Sequence, residues 1–469
     1  MALDLATASL IDIAAEFRDS KLTAMEVADW VIGNHDERGE ALHAYKTWMP
    51  EKVRAEATAA DAAFAAGIDL GPLQGIPVSI KDLVGVAGYP IFAGCPRELP
   101  DHWAVDGPIV AAIRQQLGVI SGKTHTVQFA FGGMGANRHW GPPRNPWDAV
   151  EHRSPAGSSS GAGVSLCEGS AFLAIGTDTA GSVRMPATVT GNAGMRPTPG
   201  RWPIDGIVPL VPSLDTPGPL ARSVADLAYG FAAIDPVIGG NVEDFLEVLA
   251  SSDITDFRIG VCEWYFADCD PGVAERVREA LTELEKAGAR LSDATLPHLD
   301  DLVALNDVGG LHIGEFASFI NNEMQDYKDD LDPAVAIRLA AAENYTAAEH
   351  LKRVRDVERM CAAADAAFGP YDAIVGPTIP MTPPKMSDIS TPETHLAANT
   401  RFVRNTVTVS LLHQCAVTVP VGLDEAGMPV GLQVVCREGD DATALGVARA
   451  IENVIGTPRE RLGVSPMGV

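Results

Sequence analysis

Residues 154–201 constrain the fold of this chain more than any other stretch, because Gly, Ser and Ala dominate them. Two groups of small residues lie within it, AGSSSG at 156–161 and GTDTAGS at 176–182, with an apolar segment between them. Backbone of this composition turns sharply and lets a ligand come close, since few side chains intervene. A serine preceded by several free backbone N–H groups combines a nucleophile with an anion-binding nest. The stretch therefore predicts a catalytic site on two loops, with its base supplied from elsewhere.

The charge balance argues against several classes of ligand. The 469 residues include 35 Lys or Arg and 62 Asp or Glu, which gives a net charge of −27. Such a surface repels phosphate backbones and anionic lipids, so we expect no nucleic acid and no membrane partner. The seven cysteines lack the spacing of a zinc site, and the N-terminus lacks the basic and apolar regions of a signal peptide. The expectation is a soluble, cytoplasmic protein without a metal.

Strand and helix signals alternate along the chain. A short β-branched run at 76–80 places Lys81 at the end of a buried strand. Apolar periodicity predicts further strands over 258–262, 373–375, 416–419 and 431–435, and helices over 7–18, 50–66, 107–117, 273–284 and 441–454. This alternation predicts an α/β protein, a single large domain (1–469) whose central mixed β-sheet is covered by helices on both faces. The catalytic core is expected over about 65–220, and about 221–469 complete the sheet and line the pocket.

Three groups of residues outside the Gly/Ser-rich stretch are candidates for chemistry, and a base for the serines is sought among them. Residues 118–124, GVISGKT, resemble a phosphate-binding loop, but only three residues separate the glycines instead of four, so a strand and turn are favoured. His139 and His413 lack a catalytic signature and are treated only as pocket lining. Lys81 is the third candidate, because burial lowers a lysine pKa from about 10.4 and so favours the neutral, basic form. On the residues alone, a surface ion pair between Lys81 and Asp82 fits equally well.

Several segments together resemble the amidase signature family. They are GIPVSIKD at 75–82, GKT at 122–124, RNPWD at 144–148, SPAGSSSG at 154–161, GTDTAGSVRMPA at 176–187, GMRPT at 194–198 and GMPVGLQ at 427–433. The segments follow the order of that family, and the similarity extends from about residue 5 to about residue 455. It implies the amidase signature fold and hydrolysis of amide C–N bonds, with no metal and no organic cofactor.

The resemblance also implies a Ser-Ser-Lys triad. Ser182 matches the nucleophile, Ser158 the bridging serine that follows a cis peptide bond, and Lys81 the base. The implied oxyanion hole consists of the backbone N–H groups of Thr179, Ala180, Gly181 and Ser182.

Supporting roles follow from the same matching. Asp178 and Arg184 resemble an ion network around the oxyanion hole, and Ser159 is expected to orient its neighbours by hydrogen bonds. Ala130 falls where the family places a backbone carbonyl near the catalytic group, so Ala130 and Ser158 are expected to contact the substrate.

The substrate is expected to be a small amide with a hydrophobic or aryl group. The helical stretch 303–325, from Val303, Ala304 and Leu305 to Phe316, Phe319 and Ile320, is the predicted pocket wall, with Trp140 and Met134 opposite. Such an apolar lining favours a neutral amide, with a carbamate (urethane), hydrazide or urea-like compound as the alternative. The same apolar stripe is more typical of a helix that packs into the core.

Two alternatives come from other functional classes. One is the glutaminase subunit of a tRNA-dependent amidotransferase, which would need a partner-docking surface and a cation for the glutamine carboxylate, and the sequence indicates neither. The other is a catalytically silent binding protein. The presence of Lys81, Ser158 and Ser182 argues against it, because a desolvated lysine beside two serines costs free energy. A homodimer is expected from the resemblance.

Overall fold

A continuous sheet of eleven strands runs through the computed structural model, which describes residues 3–239 and 241–469. The strands in chain order are β1 (Tyr45–Trp48), β2 (Pro77–Lys81), β3 (Val119–Thr124), β4 (Leu173–Thr177), β5 (Ala193–Arg196), β6 (Pro217–Ala221), β7 (Arg258–Cys262), β8 (Arg290–Ala294), β9 (Ala373–Pro377), β10 (Cys415–Leu423) and β11 (Pro429–Cys436). Their spatial order is β1-β3-β2-β4-β6-β5-β10-β11-β9-β7-β8. Parallel pairs towards both ends of the sheet enclose an antiparallel centre, so the sheet is mixed as predicted.

Helices flank this sheet. They are α1 (Leu10–Arg18), α2 (Ala24–Leu42), α3 (Pro50–Ala65), α4 (Pro108–Gln115), α5 (Ala162–Glu168), α6 (Arg184–Val189), α7 (Val224–Ile234), α8 (Val242–Ala250), α9 (Val273–Lys286), α10 (Leu299–Asp307), α11 (His312–Asn322), α12 (Pro333–Ala340), α13 (Ala347–Phe368), α14 (Pro392–Leu411), α15 (Asp441–Ile455) and α16 (Pro458–Leu462). None of these helices is long and apolar enough to cross a membrane. The predicted fold class, one α/β domain with helices around a central mixed sheet, is confirmed.

Sequence patterns locate some elements closely and miss others. Strand β7 occupies the predicted residues 258–262, and Lys81 is the last residue of β2 as expected. Local sequence patterns do not predict β5 and β6, although both lie in the middle of the sheet. Strand β6 reads PGPLA, with Pro219 paired to Ile175 of β4, and prolines argue against a central strand. Tertiary pairing on both sides overrides this weak local preference.

Two parallel strands bring the site together. Val78 of β2 pairs with Leu173 of β4, and Ile80 pairs with Ile175, so both strands end at the same edge of the sheet. Lys81 closes β2 and Thr177 closes β4. Ligands of α/β proteins bind at this edge, where the loops that follow the strands converge.

Candidate active site

The Lys81 side chain lies at the centre of the site and is fully buried. Its Nζ is 2.7 Å from Ser158 Oγ and 2.8 Å from Thr177 Oγ1. Burial lowers the pKa of Lys81 to about 7, although the charges of Asp215 and Asp178 oppose that shift. Hydroxyl groups solvate the amine without neutralising its charge, so the neutral form is accessible near neutral pH.

The ion pair considered for Lys81 at the surface is wrong. Asp82 pairs with Lys123, whose Nζ is 3.0 Å from Asp82 Oδ1, and both side chains are fully buried. Lys123 stands on β3, which is the ordinary strand that the sequence favoured over a phosphate-binding loop. Lys81 is therefore free to face the serines.

Ser158 belongs to a loop that other backbone segments hold in place. The peptide bond between Gly157 and Ser158 is cis, in agreement with the resemblance. Gly157 N–H donates to Gly133 O at 2.7 Å, and Val127 N–H donates to Ser158 O at 3.1 Å. Ser159 joins this loop to the second one, since its N–H donates to Ser182 O and its Oγ lies 3.3 Å from both N and O of Thr177. The predicted orienting role of Ser159 is consistent with these contacts.

Ser182 lies on the loop after β4, lines a cavity and is 5% exposed. Within the described residues its hydroxyl makes no hydrogen bond, and the backbone N–H groups of Thr179, Ala180 and Ser182 are also free. Gly181 differs, because its N–H donates to Asp178 Oδ1 at 2.7 Å. Three of the four predicted oxyanion donors are thus unengaged, whereas the fourth already has an acceptor.

A buried ion network supports this loop from behind. Asp178 accepts hydrogen bonds from Arg184 Nη2 at 2.9 Å and Arg184 Nε at 3.0 Å, and Arg196 contacts the same residue. Burial alone would raise the pKa of Asp178, but the two guanidinium groups hold it well below its usual range. Arg184 also donates to Gln433 Oε1 on β11, so the loop is tied to the C-terminal part of the chain.

The cavity beside Ser182 has a volume of about 370 Å³. Residues from four parts of the chain line it: Ala130–Gly133, the segment 179–185 that carries Ser182, Leu210, and segments of the C-terminal half within 306–313, 337–341 and 396–403. Ala130 stands on this lining, where the resemblance places a backbone contact. No group of three or more His, Cys, Asp or Glu side chains in the described part of the chain is arranged to hold a metal ion.

The predicted pocket wall is only partly correct. Asn306, His312 and Ile313 line the cavity, all within the predicted stretch. The side chains singled out there do not line it, and neither do Trp140, Met134, His139 and His413. Phe316, Phe319 and Ile320 are buried in the core instead, with the Phe316 ring centroid 4.8 Å from that of Phe131. The aromatic face of α11 packs inward, so the alternative interpretation of the apolar stripe, a helix that packs into the core, is correct for these residues.

Sequence reasoning misses three polar side chains of the cavity, Arg338, His312 and Asn399. The half-buried Arg338 donates from Nη1 to Phe131 O and has no carboxylate partner among the described residues. Burial lowers the pKa of Arg338 to about 10 and that of His312 to about 4. His312 Nδ1 is buried without a hydrogen-bond partner, and Asn399 Oδ1 accepts from Gly133 N–H at 2.7 Å. No motif marks these residues, because only the tertiary fold brings their helices to the cavity.

Comparison with known proteins identifies the family. A family model described as Amidase matches residues 31–445. The chain belongs to the amidase family. The 2-amino-5-chloromuconic acid deaminase of Comamonas testosteroni is 45% identical to this amidase over 456 residues, 97% of this chain and 98% of the relative. A glutamyl-tRNA(Gln) amidotransferase component from Geobacter metallireducens is 30% identical over 494 residues, 98% of this chain and 100% of the relative.

Solved structures agree with this assignment. The peptide amidase of Stenotrophomonas maltophilia superposes with a TM-score of 0.80 at 26% identity, covering 96% of this chain and 98% of that chain. The amidase is thus an enzyme that hydrolyses C–N bonds, as its resemblance to the amidase signature family implied. The roles of its individual site residues stay predictions.

Proposed function

We propose that this amidase cleaves the C–N bond of a small linear amide through an acyl intermediate on Ser182. The observation that carries the proposal is the 2.7 Å contact between Lys81 Nζ and Ser158 Oγ. The amine is fully buried and has only hydroxyl and carbonyl oxygens as partners, so its pKa falls to about 7 and a large fraction of it is neutral near that pH. Ser182 lies on the adjoining loop and faces the cavity that holds the substrate.

The proposed proton transfer involves Ser182, Ser158 and Lys81 in turn. Neutral Lys81 accepts the Ser158 proton, and Ser158 accepts the Ser182 proton as Ser182 Oγ attacks the carbonyl carbon. The oxygen of the tetrahedral intermediate lies against the free N–H groups of Thr179, Ala180 and Ser182. Because these donors have no other acceptor, they are available to stabilise the developing charge.

Collapse of the intermediate completes the reaction. The C–N bond breaks, the amine leaves with a proton that Ser158 returns, and the acyl group stays on Ser182. Water then attacks the acyl carbon while the same groups accept its proton, which releases a carboxylic acid and restores Ser182. Carbamates, hydrazides and urea-like compounds present the same carbonyl carbon and are alternative substrates.

A second candidate activity is favoured by the relative of 45% identity, which acts on 2-amino-5-chloromuconic acid. Muconic acid is an unsaturated dicarboxylic acid, and its amino derivative has an imine tautomer. Addition of water to the imine carbon, followed by loss of ammonia, would leave a carbonyl group, so the net reaction consumes one water. The groups that activate Ser182 for an amide would serve this addition as well. The amidotransferase alternative is less favoured, because the relative of that class is only 30% identical.

We also propose a cytoplasmic location and a homodimeric assembly for this amidase. All seven cysteines are described and are free thiols, which supports the predicted reducing, cytoplasmic location. The homodimer stays a prediction, and light scattering on the purified protein would give its mass in solution.

The test is labelling with a serine-directed fluorophosphonate, followed by intact mass measurement and peptide mapping. One adduct on Ser182 is expected in the wild type and none in Ser182→Ala. Ser387→Ala, which removes an exposed serine outside the cavity, should label like the wild type. An adduct that persists in Ser182→Ala would refute the assignment of the nucleophile.

A further inference from the structure

The cavity beside Ser182 contains one strong positive charge in an acidic protein. Arg338 is the only Lys or Arg among the described residues that line it, whereas the whole chain has a net charge of −27. The guanidinium lies 4.8 Å above the Phe131 ring and donates to Phe131 O. Within the described residues no carboxylate pairs with it, although most arginines of the chain have such a partner. Because Arg338 lines the cavity and lacks a carboxylate partner, its remaining N–H groups are available to an anionic ligand.

Two neutral polar residues line the same cavity. His312 is 6% exposed, and its Nδ1 has no hydrogen-bond partner in the described part of the chain. Its ring is nearly parallel to that of Phe131, with centroids 6.3 Å apart, so Arg338 and His312 flank the same aromatic side chain. Asn399 uses its Oδ1 for Gly133 N–H, which leaves its Nδ2 group without a protein acceptor among the described residues. The cavity thus has two side chains with unused donors, Arg338 and Asn399, whereas His312 Nδ1 is enclosed by protein.

These donors share the cavity with Ser182. Phe131 O accepts from Arg338, and Gly133 O accepts from the N–H of Gly157, the residue before Ser158. Residues 131–133 therefore connect the guanidinium to the Ser158 loop on one side of the cavity, and Ser182 lines the same cavity.

We propose that Arg338, with Asn399 Nδ2, binds a carboxylate group of the substrate. The guanidinium fork matches the planar, bidentate shape of a carboxylate, and the neutral Asn399 amide adds a hydrogen bond without a second charge. The substrate class is then a small acid that carries the scissile C–N bond at a distance from its carboxylate. This inference rests on the proposed function for the position of that bond at Ser182.

The first experiment compares pairs of amides that differ only in the carboxylate. Succinamate, glutaramate and adipamate are each assayed beside butyramide, valeramide and hexanamide, in which a methyl group replaces the carboxylate. The best acid is expected to exceed its neutral partner by about 10- to 100-fold in kcat/KM. Arg338→Met should reduce this ratio to within about threefold, mainly through KM, and Arg338→Lys should restore part of it, since the charge returns without the fork.

Arg404→Met is the matched control. Arg404 is also half-buried, lies 3.8 Å above an aromatic ring, donates to backbone carbonyls and has no carboxylate partner among the described residues, but it does not line the cavity. Its substitution should leave the ratio of acid to neutral amide unchanged. The carboxylate site would be overturned if the wild type had equal kcat/KM values for acids and neutral amides and Arg338→Met left those values unchanged.

A binding measurement separates this inference from the proposed function. Adipate and glutarate are titrated calorimetrically into Ser182→Ala and into the double variant Ser182→Ala/Arg338→Met. Binding to the first that weakens at least about tenfold in the second supports the carboxylate site even if no amide is cleaved. Conversely, a fluorophosphonate adduct on Ser182 would still support the proposed function. If dicarboxylates then bound equally well with and without Arg338, the carboxylate site would be refuted.

Discussion

Two buried lysines stand on neighbouring strands and differ in what they face. Ile80 of β2 pairs with Lys123 of β3, and Lys81 pairs with Thr124. Lys123 meets the Asp82 carboxylate, whereas Lys81 meets the hydroxyls of Ser158 and Thr177. A hydroxyl cannot compensate an ammonium charge, and this difference explains why burial lowers the pKa of Lys81 to about 7.

Activity should therefore depend on pH through Lys81. With a neutral amide, kcat/KM is expected to increase about tenfold per pH unit below about 7 and to level off above it, because only the neutral amine accepts a proton. The direction follows from the neutral fraction, which grows as pH rises through the pKa. A rate that declines across this range in a fold that stays intact by circular dichroism would contradict the assignment of the base.

Thr177 is expected to position Lys81. Thr177→Val keeps the shape of the side chain but removes the oxygen 2.8 Å from Lys81 Nζ. We expect kcat to fall about tenfold, and the pH midpoint to shift downward because the charged amine loses an acceptor. Thr188→Val removes a buried hydroxyl that bonds Thr418 instead, so it should leave the midpoint in place. An unchanged midpoint in both variants would argue against the role of Thr177.

At the scale of elements, the loop between β4 and α6 depends on one carboxylate. Asp178→Ala leaves Arg184 and Arg196 buried without their counter-charge, which should destabilise the protein by about 3–5 kcal/mol. Urea unfolding followed by fluorescence measures this loss. Asp372→Ala, which breaks a surface pair with Arg258, is expected to cost only about 0–1 kcal/mol. Equal losses in the two variants would show that the buried network contributes little.

The turn before Ser182 requires glycine. Gly181 has a φ of +118°, and an added Cβ would collide with the Thr406 side chain. Gly181→Ala should therefore abolish most turnover and cost at least about 2 kcal/mol in the free energy of unfolding. Gly33→Ala, in the exposed interior of α2 with nothing within 4 Å, should instead stabilise by about 0.5–1 kcal/mol. A Gly181→Ala variant as stable and active as the wild type would refute this reason for glycine.

The sequence predicts the reacting groups of the site better than its selectivity. Lys81 at the end of an apolar strand and Ser182 among small residues are unusual in a core, so their types and context indicate chemistry. Arg338 lies in α12, PAVAIRLA, whose sequence is ordinary for a helix near the surface. His312 begins a helix whose aromatic residues suggested a pocket but pack in the core. Which side chains reach the cavity depends on how distant helices pack, and no local pattern encodes that.

At the scale of the whole molecule, one sheet joins the two halves of the chain. Strand β5 pairs with β10 through Arg196 and Ala416, and Arg184 reaches Gln433 on β11. The predicted catalytic core, about 65–220, would lose both contacts if it were isolated. That boundary stays a prediction, and we expect a fragment over 65–220 to remain unfolded by circular dichroism.

The intact chain should unfold in a single step. The sheet is continuous from one edge strand, β1, to the other, β8. Loss of the central strand pairs therefore exposes both halves of the chain together. Tryptophan fluorescence and far-ultraviolet circular dichroism should give the same urea midpoint. Two separated midpoints would contradict a single cooperative domain.

The order of strands also bears on how a ribosome makes this protein. Strands β10 and β11, residues 415–436, occupy the middle of the sheet between β5 and β9, yet they emerge after both. Synthesis at about 5–20 residues per second leaves the nascent chain for many seconds with unpaired inner strands, which are sites of aggregation. The nascent amidase should therefore depend on chaperones, and a message cut short before codon 415 should yield a chain that carries every triad residue and no activity.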